Sequence, residues 1–189
     1  MKTKQEIRQE ILTFRNQMEL SEVTDRSRQI IQQVVRTPEY EEAEHVLLYA
    51  DYRHEVMTKE LFDDAILKKK KVYFPQTCAA NCSMEFYQVV SVKQLEKGYK
   101  GILEPKAEKS AKYCFHQEED TLIILPGVAF GTDGYRIGYY DRYLQDKRQI
   151  TLMALAFAGQ IVEPFEHGQY DVRMDKIVTE KIIYSFLRV

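Results

Sequence analysis

Several groups of residues carry side chains able to do chemistry. The longest is LPGVAFGTDGYRIGYYDRYL (125–144), where an apolar run opens into a glycine-containing loop and then a stretch bearing Asp141 and Arg142. Such a loop can aim backbone N–H groups at an anion, and the start of the next helix adds partial positive charge. Arg136 offers a bidentate grip on phosphate. The spacing of Gly127, Gly131, Gly134 and Gly138 matches neither a Walker loop nor a dinucleotide fingerprint, so a plain surface loop is the competing reading. Lys4 and Arg8, four residues apart on one helical face, form either a phosphate grip or a solvated face. Glu55, in RHEVMT (53–58), suits a polar ligand or Mg²⁺, or is an ordinary loop carboxylate. Glu104, in GILEP (101–105), is the wall of a site or part of a turn. Tyr135, Tyr139, Tyr140 and Tyr143 can stack on a flat heterocycle or pack a helix. Cys78 and Cys82 lack a nearby histidine to complete a metal set, and with Cys114 they fit unpaired thiols in a reducing cytoplasm.

The elements that must position these groups follow from hydrophobic period. Ile7, Ile11, Phe14 and Met18 predict an amphipathic helix, and Ser21 caps a second one carrying Val23, Ser27, Ile30 and Val34, ended by Pro38. VLLYADY (46–52) reads as a buried strand. Thr58 caps a helix with Leu61, Phe62, Ala65 and Ile66 on its core face and an Asp64–Lys68 ion pair. Strands follow at KVYFPQ (71–76, stopped by Pro75), MEFYQVV (84–90), TLIILP (121–126) and ITLMALAF (150–157), with a loop over 127–138 and a short helix over 139–145. KIVTEKIIYSFLRV adds a strand and a last apolar element. Apolar strands alternating with helices predict one α/β domain over residues 1–189, a mostly parallel sheet covered on both faces, with ligands beyond the carboxyl ends of the strands. The chain of 189 residues is 44% apolar and 30% charged, with formal net charge −2. That balance argues against disorder and against a nucleic-acid-coating role. No apolar run reaches the roughly 18 residues of a membrane span, and the N-terminus lacks a signal-peptide core.

Taken in order, KQEIR (4–8), LYADYRHEVMT (48–58), KVYFPQ, GILEP (101–105), the 125–144 segment, ALAFAGQIV (154–162) and MDKIVTE (174–180) resemble the 5-formyltetrahydrofolate cyclo-ligase family along nearly the whole chain. The resemblance implies a three-layer α/β/α fold similar to the sugar-phosphate isomerase and CoA-transferase group. It implies ATP- and Mg²⁺-dependent conversion of 5-formyltetrahydrofolate to 5,10-methenyltetrahydrofolate, in a cytoplasmic monomer or weak homo-oligomer. By motif position, Lys4, Arg8, Arg136, Ile137, Gly138 and Tyr139 would bind ATP. Ala50, Glu55, Tyr139 and Tyr140 would bind the folate, Arg136 and Tyr140 would be catalytic, and Asp141 and Asp175 would hold Mg²⁺. The chain departs from the family pattern at three places. RIGYYDR (136–142) lacks about four residues, glycines among them, of the usual R-L-G-x-G-x-G-Y-Y-D-R. Met57 stands where E-V-D-T has Asp, and Tyr170 stands where P-x-E-x-H-D has His. The alternative to an active enzyme is a catalytically weak or inactive relative that keeps a folate or nucleotide pocket.

Overall fold

Thr3 opens helix α1 (Lys4–Gln17) with a reciprocal cap: its hydroxyl accepts from the Glu6 N–H while the Glu6 carboxylate accepts from the Thr3 N–H. Two donors that a helix start leaves orphaned are thereby satisfied. The computed structural model describes residues 2–78, 83–106, 110–114, 120–138, 140–144 and 150–187, without the side chains of Cys78, Ser83, Asp141 and Arg142. Helix α2 (Leu20–Val34) buries Val23, Ser27, Ile30, Ile31 and Val34, as its period predicts. It starts one residue before Ser21, which lies exposed in the first turn and does not cap. Pro38 does more than end α2. It occupies the first turn of a short helix α3 (Pro38–Glu42), where its missing N–H is not needed, and Thr37 caps that turn.

Strand β1 (His45–Leu47), helix α4 (Lys59–Leu67), β2 (Lys71–Cys78) and β3 (Ser83–Gln88) follow, then a hairpin of β4 (Leu95–Lys97) and β5 (Leu103–Pro105). Next come β6 (Thr121–Leu125), β7 (Ala129–Gly131), β8 (Arg136–Ile137), helix α5 (Asp141–Leu144), β9 (Thr151–Leu155), β10 (Ile161–Val162), β11 (Lys176–Val178) and β12 (Ile183–Ser185). Among the described residues, seven strands form one sheet in the order β12-β11-β9-β6-β1-β2-β3. Its inner neighbours pair in parallel, and only the edges β12 and β3 run antiparallel. The fold is the mixed α/β arrangement with a mostly parallel central sheet that the sequence predicts.

Alternation along the strands divides the core. Leu122 and Ile124 join Val46, Leu48, Val72 and Phe74 beneath α2 and α4, burying Ile30, Val34, Leu61 and Phe62. Ile123 and Leu125 face the other way, into a cluster with Leu47, Phe86, Phe130 and Leu144. Both faces of β6 are therefore apolar, which is why it reads as a continuous hydrophobic run. Helix α1 packs separately: Ile7 and Ile11 meet Val128, Ala129, Ile137 and Phe165 on a small sheet of β10, β7 and β8. The Asp64–Lys68 ion pair forms at 2.9 Å.

Three expectations about the strands and loops also change. The strand expected over 46–52 pairs only through Leu47, because the chain beyond Leu48 leaves the ladder to build a loop held by side chains. Pro75 does not stop β2; it pairs with Phe86 inside it. Tyr73 is the last β2 residue paired with β1, and backbone groups alternate sides along a strand. The missing Pro75 N–H thus faces past the end of β1 and removes no ladder bond. The stretch 127–138 is not a plain loop but carries β7 and β8, turning at Gly134 with φ 94°, a conformation suited to glycine. No helix among the described residues is long and apolar enough to cross a membrane.

Candidate active site

The loop after β1 is assembled from its own polar side chains. The Tyr49 hydroxyl donates to Val56 O at 2.8 Å, the Thr58 hydroxyl donates to Tyr49 O at 2.9 Å, and Thr58 N donates to Asp51 Oδ1 at 3.0 Å. Thr58 precedes α4 but makes no side-chain cap; its hydroxyl is committed to the loop. Arg53 takes a left-handed φ of 51°, and Glu55 N bonds back to Arg53 O at 2.8 Å. That tight turn lets Glu55 Oε2 accept from Tyr52 N at 3.0 Å. Ala50 is buried at the loop's base.

Arg15, in the last turn of α1, reaches into this loop. Its Nε donates to His54 O at 2.9 Å, its Nη1 donates to Gly127 O at 3.5 Å, and its Nη2 lies 3.9 Å from Glu55 Oε1. Arg15 is 4% exposed. Burial pulls its guanidinium below the ordinary arginine range, and Glu55 opposes that pull. Burial likewise raises the Glu55 carboxyl, with Arg15 and the Tyr52 N–H acting against it.

Arg136 is fully buried in β8, its guanidinium 5.7 Å from the centre of the Tyr140 ring. A Cβ on Gly138 would overlap Arg136 Nη1, so a side chain there would make the end of the guanidinium shift. Ile137 anchors the same strand against Ile7 and Ile11 of α1. Burial raises the Tyr140 hydroxyl well above its usual range; Glu55 and Glu104 add to the rise and Arg136 opposes it. Tyr140 thus senses the carboxylate loop, the β8 cation and the GILEP segment together. Glu104 itself accepts from Thr77 N at 3.3 Å.

Lys4 stands at the other end of α1, about 16 Å from Arg15 at 1.5 Å per residue. It forms an ion pair with Asp171, whose Oδ2 also accepts from Gly168 N at 2.7 Å. Burial pushes the Asp171 carboxyl up, but the Lys4 and Gly168 bonds together bring it below its usual range. A cavity of about 360 Å³ opens here, lined by Lys2, Thr3, Lys4, Glu166, His167 and Gly168. The His167 ring stacks on Tyr135 at 3.6 Å. Arg8, half-buried one turn on, lowers Arg15 by like-charge repulsion.

The structure therefore brings Glu55, Arg136, Gly138 and Tyr140 into one neighbourhood, with Lys4 and Arg8 along the helix that borders it. Asp175 is engaged elsewhere: its Oδ2 accepts from Leu152 N at 2.7 Å, just before β11. Tyr139 and the Asp141 side chain lie outside the described residues, as do the side chains of Cys78 and Cys82. Among the described residues no three His, Cys, Asp or Glu side chains group as a metal set. Met57 faces away from the site, its sulfur 3.8 Å from the Thr24 hydroxyl and its backbone N–H on Ser27 Oγ. Tyr170 is 62% exposed. Sequence reasoning missed Arg15, Asp171 and Gln160, whose buried amide donates to Gly127 O and Val128 O at 2.9 Å each. Arg15 had a legible signal, a charge four residues from Ile11 on the apolar stripe. Asp171 closes the segment compared with P-x-E-x-H-D and Gln160 lies within ALAFAGQIV, but neither segment marks which partner its side chain takes.

The sequence profile of the 5-formyltetrahydrofolate cyclo-ligase family matches residues 1–180. A Schizosaccharomyces pombe protein named "Probable 5-formyltetrahydrofolate cyclo-ligase" is 37% identical over 128 residues, covering 65% of this chain and 62% of that protein. The mouse 5-formyltetrahydrofolate cyclo-ligase is 26% identical over 164 residues, covering 80% of each. The NMR structure of Aquifex aeolicus 5,10-methenyltetrahydrofolate synthetase superposes with a TM-score of 0.81 at 29% identity, over 96% of this chain and 91% of that one.

Proposed function

Because the chain belongs to the 5-formyltetrahydrofolate cyclo-ligase family, we propose that it converts 5-formyltetrahydrofolate to 5,10-methenyltetrahydrofolate with ATP, releasing ADP and phosphate. The observation that carries this reading is Tyr140. It stands under the influence of both Glu55, on the loop beyond β1, and Arg136, at the start of the shortened phosphate loop. The reaction needs these two regions side by side. The formyl oxygen attacks the γ-phosphorus of ATP and ADP departs. N10 then adds to the activated carbon, losing its proton, and phosphate leaves as the N5–N10 bridge closes.

In this reading the chain's work is positioning and charge neutralisation. Glu55 accepts hydrogen bonds from the reduced folate, and Tyr140, partly buried and protonated, forms a wall beside it. Arg136 meets the phosphoryl group in transfer, where a guanidinium stabilises charge as it spreads over the oxygens. Gly138 leaves room for that guanidinium. Lys4 and Arg8 hold the ATP phosphates, Lys4 exchanging Asp171 for a phosphate oxygen beside the cavity at the start of α1. Mg²⁺ asks for one or two carboxylates and takes the rest of its shell from phosphate and water, so the lack of a three-carboxylate cluster among the described residues is compatible with it. Asp141 is the proposed ligand, with Asp175 second. When bound, the ion would neutralise phosphate charge. Cys114, exposed and free, fits a reducing cytoplasm.

The test is turnover of the purified protein with 5-formyltetrahydrofolate, Mg²⁺ and ATP, followed by the near-ultraviolet absorbance of the product against an ATP-free control. ATP-dependent product is expected. Arg8→Ala should raise the KM for ATP far more than that for folate, and Glu55→Ala should do the reverse. Equal losses for both substrates in a folded protein would overturn these roles. The missing glycines favour one second reading, a pocket that outlived its chemistry. Saturable folate binding without product would select it.

A further inference from the structure

Arg15 occupies a position that packing alone would give to an apolar residue. Ile7, Ile11 and Met18 line the same buried stripe of α1, and a leucine or methionine there would dock the helix without burying a charge. Its guanidinium instead serves three acceptors from two separate loops: His54 O, Glu55 Oε1 and Gly127 O. The link is returned, since His54 Nδ1 lies 2.7 Å from Arg15 O and can only donate to that carbonyl. Gly127 O is held at the same time by Gln160, so the Arg15 contact ends on a fixed point. A lysine cannot reproduce this fork.

We propose that Arg15 is a positioning residue that fixes both the charge and the place of the Glu55 carboxylate, and so sets the binding of reduced folate. The identity of the ligand rests on the cyclo-ligase reading. Among the described residues, Arg15 is the cation that forms an ion pair with Glu55. The other groups that act on this carboxylate are Asp51, which opposes ionisation, and the Tyr52 N–H, which favours it; the phenols of Tyr49 and Tyr140 are neutral neighbours that feel its charge. Without Arg15, burial would push the Glu55 carboxyl further up, and it would hold its proton to higher pH. Lys4, Arg8 and Arg15 also share one face of α1, lying within about 40° of each other at 100° per residue. One rigid element therefore carries the proposed phosphate grip at its start and the partner of the folate carboxylate at its end.

The experiment compares wild type, Arg15→Lys and Arg15→Met in two readouts. The first is the ¹³C titration of the Glu55 side chain, assigned with Glu55→Gln. The second is kcat and KM for each substrate from pH 5 to 9. In Arg15→Met the Glu55 midpoint should rise, and the acid limb of kcat/KM for folate should move up with it. The KM for folate should rise about tenfold or more at pH 7, with the KM for ATP within threefold. Arg15→Lys, which keeps the charge and loses the fork, should hold the midpoint near that of wild type and recover part of the folate affinity. An unmoved midpoint in Arg15→Met, or a lysine variant no better than methionine, overturns the proposal. If Arg15→Met does not fold, Arg15→Gln replaces it; if neither neutral variant folds, Arg15 is a structural residue and the proposal falls. Absence of turnover by wild type would remove the cyclo-ligase reading alone, and the titration would still decide the link between Arg15 and Glu55.

Discussion

Arg15 and Glu55 are each pushed toward neutrality by burial, and each is the main influence that opposes this on the other. A pair of this kind holds its members ionised without adding much to stability, because desolvation of both charges offsets their attraction. Removing one member is a different matter, since it strands the other. Arg15→Met is therefore expected to cost about 3 kcal/mol in denaturant unfolding at pH 7. The double variant Arg15→Met/Glu55→Gln should recover to within about 1 kcal/mol of wild type, or exceed it. If the double variant were as unstable as the two singles added together, the pair would be a stabilising device and not a cost borne for the site. The contrast with Met57 is informative. There the family's carboxylate is replaced by an apolar side chain, yet its contacts run to Thr24 and Ser27 on α2, away from Glu55. Two residues of sequence separate the positions, and they face opposite ways.

The elements differ in how much of them the sequence reveals. The stripes of α1, α2 and α4 and the apolar run of β6 are long enough for period to identify them. Strands of three and two residues such as β7 and β8 have no period to detect, so the hairpin that carries Arg136 reads as loop. The strand β1 is overestimated for a related reason: apolarity continues through Tyr49 and Ala50, but ladder bonds give way to the side-chain bonds of Tyr49, Asp51 and Thr58. Glu55 is legible as a carboxylate after a strand, whereas its partner comes from a helix 40 residues earlier, and nothing local marks the pairing. The shortened element after β8 has a testable consequence. Backbone N–H groups of a glycine loop make charge-assisted bonds to phosphate, each worth about 1.5–3 kcal/mol, and about four residues of such a loop are missing. Inserting Tyr-Gly-Gly-Gly between Gly138 and Tyr139 should lower the Kd for ATP about tenfold or more by calorimetry, the equivalent of one recovered bond. An unchanged Kd would mean that Lys4, Arg8 and Arg136 hold the phosphates without a backbone cradle.

At the scale of the whole molecule, acid acts on groups that pull in opposite directions. The folded Asp171 carboxyl lies below its usual range, so its contribution to stability is present above the ordinary value near 3.8 and is lost as pH falls through the folded one. The Glu55 carboxyl is raised, so the folded protein holds that proton longer than the unfolded chain, and this group lowers stability as pH rises through the carboxylate range. A third such group is His45, at the start of β1 and ten residues before Glu55. Its ring stacks on Tyr73, its Nδ1 lies 3.1 Å from the Tyr73 hydroxyl, and Tyr113 covers it from the side. Burial lowers its proton affinity first and Lys71 adds to that, while Glu44 and Asp120 act against it. The unfolded chain therefore binds this proton more readily than the folded one. Stability from a neutral His45 is complete above the ordinary histidine value near 6.5 and declines as pH falls from there toward the folded value. His45→Phe keeps the stacked ring and removes the titration, so the difference in Tm between pH 7.5 and pH 5.5 should narrow relative to wild type. An equal difference in both proteins would mean that the acid sensitivity of this sheet comes from elsewhere. A narrowed one would show that β1, the inner strand between β6 and β2 that launches the Glu55 loop, is most stable with a neutral imidazole at its start.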